Sequence, residues 1–136
     1  MSFFNVLGVA GSAMNAQMVR MNTISSNLAN VGVAASSAEE AYKAKRPVFR
    51  TVMDQQSDHY TAGVTVDSIG QSDKPNDRRF EPNNPIADKD GYIYISNVNS
   101  IEEMVDMTIA SRSYQNNVES INTAKKLVLQ TLRLGQ

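Results

Sequence analysis

Residues 100–134 read SIEEMVDMTIASRSYQNNVESINTAKKLVLQTLRL, a long run that contains neither proline nor glycine. Ser100 and Glu103 match a capping box, in which a hydroxyl and a carboxylate satisfy backbone N–H groups at a helix start. Two interleaved series then recur with a seven-residue spacing. The first is Met107, Tyr114, Ile121 and Val128, and the apolar members of the second are Met104, Val118 and Leu132, with Ser111 between the first two. This stretch therefore predicts a helix of roughly 30 to 35 residues, about 50 Å long.

The first thirty residues repeat the same spacing. The two series are Leu7, Met14, Met21 and Leu28, and Ala10, Gln17, Ile24 and Val31. The motif SSNLAN at 25–30 places four short polar side chains between these positions, and Asn30 with Gly32 can end a helix. We expect a second long helix whose motif residues hydrogen-bond neighbouring backbones or amides in a crowded assembly.

The middle of the chain has a different pattern. All four prolines lie between residues 46 and 96, together with the strand-like pieces VFRTVM, GVTVDSI and GYIYI and the turn clusters between them. Residues 32–45 have the composition of a flexible connection, with room for a short helix around Ala38 to Lys43.

The predicted fold class is mainly α with a small β insert. The long terminal helices pair in a coiled-coil-like manner, and a small, irregular, β-containing domain lies between them in the chain. The predicted organisation has a terminal helical domain of residues 1–31 plus 97–136, a connection at 32–45, and an insert at 46–96.

Composition excludes several classes of function. The 136 residues contain no cysteine, which excludes disulfides and thiolate chemistry, and the net charge of −1 gives no reason to expect nucleic acid as a partner. No apolar run reaches the length of a membrane span. The apolar start has no basic residue before Arg20, so we expect mature sequence rather than a cleaved signal peptide.

The sequence contains no pattern that favours a catalytic or metal-binding site. The segment DKDGYI at 88–93 resembles part of a calcium loop, but Ile86 and Asn97 would fall at two ligand positions, so a turn with Gly91 at positive φ is preferred. His59 is the only histidine and has no second metal-ligating residue placed beside it. The basic cluster Lys43, Lys45, Arg46 and Arg50 favours salt bridges, against a neighbouring subunit for example, or solubility. We predict no catalytic residue, no metal and no cofactor.

Apolar residues exceed what one small domain can bury, which favours a partner interface. Some lie outside the seven-residue series: Phe3, Phe4, Val6, Val9, Met18, Ile109, Leu127 and Leu129. The predicted subunit-interface residues are Leu7, Met14, Met21, Ile24, Leu28, Val31, Met107, Tyr114, Val118, Ile121, Val128 and Leu132. A monomeric helical hairpin with a β cap and a soluble cytosolic coiled-coil adaptor remain as alternatives.

The motif SSNLAN and the stretch ASRSYQNNVESINTAKKLV at 110–128 resemble the axial proteins of the bacterial flagellum. YKAKRPVF at 42–49 and FEPNNPIADKDGYIYISNV at 80–98 are similar to the proximal-rod members of that family. The resemblance implies a non-enzymatic subunit of the rod that crosses the periplasmic space within the basal body. It implies export by the flagellar type III apparatus without signal cleavage. The implied partners are other rod subunits, including self-association in a helical assembly, and the membrane-ring and export-gate side of the basal body. It implies no nucleic acid partner.

Overall fold

The computed structural model describes residues 3–56 and 59–134. Along the chain, five strands lie between two long helices, α1 (Phe3–Ala29) and α2 (Ser100–Leu134). The strands are β1 (Ala34–Ala35), β2 (Lys45–Gln56), β3 (His59–Gln71), β4 (Asp77–Phe80) and β5 (Tyr92–Ile95). Two long helices with small sheets between them confirm the predicted fold class, and the coiled-coil pairing of the helices stays a prediction.

The end of α1 agrees with the sequence analysis. Asn30 Nδ2 donates to the Ser26 carbonyl at 2.7 Å, which satisfies one of the free acceptors of the last turn. Gly32 then adopts a φ of 72°, a left-handed conformation that ends helices at little steric cost when the residue is glycine.

The start of α2 corrects the predicted capping box. Asn99, not Ser100, caps the helix: its Oδ1 accepts from the backbone N–H groups of Ile101 at 3.0 Å and Glu102 at 3.4 Å. The Asn99 carbonyl accepts the first helical bond, from the Glu103 N–H at 3.0 Å. An asparagine side chain is as good an N-cap as serine, and its use releases the Glu103 carboxylate for another role.

Two separate sheets form in the middle of the chain. β2 and β3 make a two-stranded ribbon, and they contain the predicted pieces VFRTVM and GVTVDSI. The other sheet has the order β1-β5-β4, with the predicted GYIYI strand at its centre. Both of its pairings are antiparallel: Ala34 lies opposite Ile95 on one side, and Arg79 lies opposite Ile93 on the other.

Residues 32–45 contain a strand that the sequence did not predict, and the predicted short helix around Ala38 to Lys43 is wrong. The segment contains strand β1, and its carbonyl at Val33 accepts from the Ser96 N–H at 3.0 Å. The predicted short helix is replaced by a turn at Ser37, whose Oγ accepts from the Glu40 N–H and whose carbonyl accepts from the Ala41 N–H. Ala41 and Ala44 are buried, so the small side chains serve packing.

The chain divides into two compact units. Unit 1 comprises Met1–Met21, Pro47–Ser68 and Thr108–Gln136, and unit 2 comprises Asn22–Arg46 and Ile69–Met107. Among the side chains of unit 1 whose burial the structure describes, the buried apolar ones are small: Ala10, Ala16 and Ala110. Unit 2 buries Ile24, Ala41, Ala44 and Ile93 together with polar residues. The domain boundaries drawn from the sequence stay a prediction.

The turn before β5 forms around Asp88, as the sequence predicted for DKDG. Asp88 Oδ1 accepts from the backbone N–H groups of Tyr92 at 2.8 Å and Asp90 at 2.9 Å, and the Tyr94 hydroxyl lies 3.3 Å from Oδ2. These bonds, the Tyr92 N–H foremost, hold the pKa of Asp88 below its ordinary value of 3.8. Gly91 supplies the positive φ that the turn needs, at 81°.

Gly91→Ala should destabilise the protein more than Gly32→Ala. Both substitutions force alanine into a left-handed conformation, at about 1 kcal/mol. At Gly91 a β-carbon would also lie 2.9 Å from Phe80 Cε2 and 3.2 Å from Pro82 Cβ, whereas at Gly32 it meets no atom within 4 Å. We expect about 1–3 kcal/mol for Gly91→Ala in urea unfolding. Equal losses at the two positions would contradict this account.

Asp88 should make stability dependent on pH in the acid range. Because its pKa is lowered in the folded state, the unfolded chain takes up the proton first as the pH falls. Its contribution is therefore complete above the ordinary value of 3.8 and is lost as the pH falls through the folded pKa. Asp88→Asn keeps an acceptor but has no charge. We expect the unfolding midpoints of wild type and variant to differ at about pH 7 and to converge toward about pH 2. A constant difference would contradict the assignment.

Candidate assembly interface

The motif SSNLAN contains the most completely bonded side chain that the structure describes, that of Asn27. The residue is 0% exposed. Its Nδ2 donates to the Lys45 carbonyl at 2.9 Å and to Glu103 Oε2 at 3.1 Å. Its Oδ1 accepts from the Lys45 N–H at 2.9 Å and from the Tyr42 hydroxyl at 3.0 Å. Both donor positions and both acceptor positions of the amide are therefore used.

The bond to Glu103 joins α1 directly to α2. Glu103 is 2% exposed, and a buried carboxylate requires compensating donors. Asn27 supplies one, and the Arg46 guanidinium lies with Nη2 3.6 Å from Glu103 Oε1 and Nη1 3.4 Å from Asp106 Oδ2. We call Asn27, Tyr42, Lys45, Arg46 and Glu103 the Asn27 network.

Two further asparagines hold the segment that the Asn27 network contacts. Asn76 Nδ2 donates to the carbonyls of Tyr42 at 2.9 Å and Ile95 at 3.0 Å. Asn97 Oδ1 accepts from the Ala44 N–H at 2.7 Å, and its Nδ2 donates to the Lys74 carbonyl at 2.6 Å. Residues 42–45 are thus fixed by amide side chains from three separate parts of unit 2.

The bonds that the structure shows for the motif go to backbone and side-chain groups of the same chain. Asn27 and Asn30 bond within their own chain, and Ser26 Oγ lies 3.3 Å from the Tyr42 hydroxyl. The sequence did not reveal the partners of Asn27, because they lie between 15 and 76 positions away. The available signal was YKAKRPVF, which contains three of the five residues of the Asn27 network.

The predicted interface residues differ in exposure within the single chain. Ile24 is buried, whereas Val31 and Leu132 are exposed. The others are half-buried: Leu7, Met14, Met21, Leu28, Met107, Tyr114, Val118, Ile121 and Val128. Their role in subunit contacts stays a prediction.

The apolar residues predicted outside the seven-residue series are exposed where the structure describes their side chains: Val6, Val9, Met18, Ile109, Leu127 and Leu129. The side chains of Phe3 and Phe4 are not among the described ones. α2 has four more exposed apolar residues, of which Ile101 and Val105 lie outside the series and Met104 and Leu132 belong to it. Both helices therefore present apolar side chains to solvent in the single chain.

Unit 1 contains an open groove of about 740 Å³ along α2. Its lining is mainly uncharged, with Glu119 as the one charged residue: Val6, Asn116, Glu119, Ser120, Thr123, Ala124, Leu127, Val128 and Thr131. The lined part of α2 extends over about 22 Å, enough for four turns of another helix. A surface of small and apolar side chains suits helix packing rather than proton transfer.

The charged residues do not form a chemical site. Arg46 pairs with Glu103 and Asp106, Arg50 Nε lies 3.2 Å from Asp67 Oδ1, and Lys45 Nζ lies 5.8 Å from the centre of the Tyr42 ring. Three members of the basic cluster, Lys45, Arg46 and Arg50, thus have partners within their own chain. In residues 3–56 and 59–134, no three acidic, histidine or cysteine side chains could hold a metal ion together. The His59 side chain lies outside the described ones.

Neither helix has an apolar stretch long enough to cross a bilayer, within the part of the chain that the structure describes.

Two family models match the two ends of the chain, and known proteins match its full length. Residues 7–34 match a family model described as flagella basal body rod protein, and residues 89–134 match one described as flagellar basal body rod FlgEFG protein C-terminal. The chain is 43% identical over 136 residues to the flagellar basal-body rod protein FlgC of Salmonella typhimurium, and 42% to that of Escherichia coli. The FlgC protein of Buchnera aphidicola is 40% identical over 138 residues. Each match covers 100% of both chains.

Asn27→Ala should unfold the protein readily, because it leaves the Glu103 carboxylate and the Lys45 backbone groups without their bonds in a buried place. We expect a loss of about 3–5 kcal/mol in urea unfolding of the monomer. Asn27→Asp, which has nearly the same shape, should be at least as damaging, since its second oxygen would face two acceptors.

The matched control is Asn22→Ala, an exposed asparagine on the same helix. It should change the unfolding free energy by no more than about 0.5 kcal/mol. Similar small effects at both positions would show that the Asn27 network does not stabilise the fold.

Proposed function

We propose that this chain, which belongs to the FlgC family of flagellar basal-body rod proteins, builds the rod through contacts made by its two terminal helices. It is a structural subunit and not an enzyme. The family rests on matches that cover the whole chain and on two rod-family models that match its two ends. The contribution of the helices rests on the structure.

The observation that carries the proposal is the exposed apolar surface of α1 and α2. A solvated helix normally presents charged or polar residues on its outer face. α2 instead exposes Ile101 to 72%, Leu127 to 57% and Leu132 to 63%. α1 has Arg20 as its one charged residue between Phe3 and Ala29, while Val9 and Met18 are exposed. Exposed apolar surfaces of this kind mark contacts with other proteins.

The proposed contacts are heterologous and open-ended. Heterologous interfaces generate a helical assembly when the rotation between subunits does not close. The half-buried series of both helices would pair in a coiled-coil-like manner, and the exposed residues would contact neighbouring rod subunits. The groove beside Leu127 has the dimensions to receive a neighbouring helix.

The finer features of this role follow from the same proposal. Assembled subunits would form the wall of the proximal rod, which crosses the periplasmic space, transmits motor torque and encloses the export channel. The partners would be other rod subunits and the membrane-ring and export-gate side of the basal body. The chain would reach that place through the flagellar type III apparatus without cleavage of a signal.

Leu127→Asp should abolish incorporation into the rod and leave the monomer folded. Because the Leu127 side chain is already 57% exposed, the unfolding free energy of the monomer should change by no more than about 0.5 kcal/mol. In an assembled interface, however, a buried unpaired carboxylate costs several kcal/mol. The measurements are swimming motility and immunoblots of purified basal bodies.

The control is Lys89→Asp, which introduces the same residue at an exposed position of the β insert. Cells that carry this variant should swim normally. Normal incorporation of the Leu127→Asp variant would count against assembly through this face, and a stable, closed dimer of the wild type in sedimentation would favour the cytosolic adaptor.

A further inference from the structure

We propose that the two ends of α2 are complementary, so that the last turns of α2 in one copy pack against the first turns of α2 in a second copy. The proposal rests on the rod function and goes beyond it, because it specifies which surfaces of the chain meet and gives the contact a direction.

The first turns of α2 form an apolar surface with an acidic border. Ile101, Val105 and Ile109 recur at four-residue spacing and are all exposed. Glu102 and Asp106 have the same spacing and lie beside them, where the positive end of a helix favours acidic residues. A groove of about 400 Å³ is lined by Ile101, Glu102, Val105 and Asp106, with Arg46 at its edge. We call this surface the head of α2.

The acidic residues of the head have partners within the chain. Arg46 Nη1 lies 3.4 Å from Asp106 Oδ2, whose side chain is 26% exposed. Lys74 Nζ lies 3.9 Å from Glu102 Oε2, with side chains that are 69% and 51% exposed. An exposed ion pair such as that of Glu102 contributes little to stability, about 0–1 kcal/mol. Glu102 can therefore exchange its partner without a large loss.

The last turns of α2 form an apolar surface with a basic border. Leu129 and Leu132 are exposed, and Lys125 and Arg133 share their stripe at the spacing i, i+4, i+7 and i+8. Among the described residues, Lys125 and Arg133 belong to none of the ion pairs. Basic residues complement a helix C-terminus, but that effect gives no reason for two exposed leucines beside them. We call this surface the tail of α2.

Head and tail match in chemistry, since leucines meet isoleucine and valine while lysine and arginine meet glutamate and aspartate. When two copies overlap only at these ends, the contact of a head with a tail is heterologous, so it leaves a free head and a free tail for further copies. A closed two-fold contact between like ends would instead place like charges together. An overlap of a few helical turns buries less surface than the about 1,200 Å² that a stable complex needs. We therefore expect the contact to form within the assembly and not as a free dimer.

Cysteine cross-linking tests the contact directly, because the chain contains no cysteine. The variant carries both Ile101→Cys and Leu132→Cys. These positions are separated by 31 residues of one continuous helix, about 46 Å, so a disulfide cannot form within one chain. After mild oxidation of basal bodies, we expect covalent dimers and higher multimers of the double variant. Each single variant should remain monomeric.

The matched control pairs Phe80→Cys with Leu132→Cys. Phe80 is 61% exposed, similar to Leu132, but it lies on β4 outside the head. This pair should not cross-link. Should the first pair prevent incorporation, Val105→Cys with Leu129→Cys tests the same contact one turn further along each surface.

Charge reversal tests the polar border in the cross-linking variant. Glu102→Lys alone and Lys125→Glu alone should each lower the yield of multimers roughly tenfold, because like charges would then face each other. The two together should restore the yield. Failure of the combined variant to recover would remove the charge pairing from the proposal.

The outcomes separate this proposal from the rod function. Double variants that enter basal bodies and support motility but give no multimers would overturn the head-to-tail contact and leave the rod function intact. Dimers from either single variant would also overturn it, since they would indicate a closed contact between like ends. Absence of the wild-type chain from purified basal bodies would overturn the rod function itself.

Discussion

The four hydrogen bonds of Asn27 are the constraint on which unit 2 depends. They connect three parts of the chain: the end of α1, the segment from Tyr42 to Lys45, and Glu103 in the first turn of α2. A buried polar network is favourable only when every member is satisfied, because each unpaired group costs its full desolvation. Asn27 meets this condition, and Arg46 supports the carboxylate from its other side. The network therefore favours one arrangement of these three segments over others.

This use of polar bonds compensates for a core with few large side chains. Ile93 and Ile24 are the large apolar residues buried in unit 2, and unit 1 buries alanines. Larger apolar side chains lie on the outside of the helices, at Ile101, Leu127 and Leu132 among others. Hydrogen bonds thus define much of the internal structure of the subunit, while many large apolar side chains remain exposed, as the proposed contacts between subunits require.

The sequence predicted the features that depend on neighbouring residues. The lengths of both helices followed from uninterrupted seven-residue spacing, and the turn at Gly91 followed from DKDG. Features that depend on distant partners were missed: the strand at Ala34–Ala35 exists because Ile95 and Tyr94 lie beside it, and four exposed residues at Asp77–Phe80 have no alternating pattern.

The predicted capping box was wrong because Asn99 caps the helix in place of Ser100. The sequence did not show that the Glu103 carboxylate bonds to Asn27, 76 positions away. The excess of apolar residues predicted that apolar side chains would be exposed, but not which ones. Spacing identifies positions that share one face of a helix, and it does not say which face its own chain covers. Ile101, Met104 and Val105 were accordingly missing from the predicted interface, although they are among the most exposed apolar residues.

Because Asn27 has its bonding capacity filled by its own chain, this residue places no demand on the identity of a neighbour. In the assembly proposed above, one subunit of this design could therefore be replaced by a related one as long as these internal bonds are intact. Surfaces such as the two ends of α2 would then select the neighbour. Asn27 lies outside those surfaces, so a tube made of several related proteins could change its contacts from one segment to the next without changing how each subunit folds.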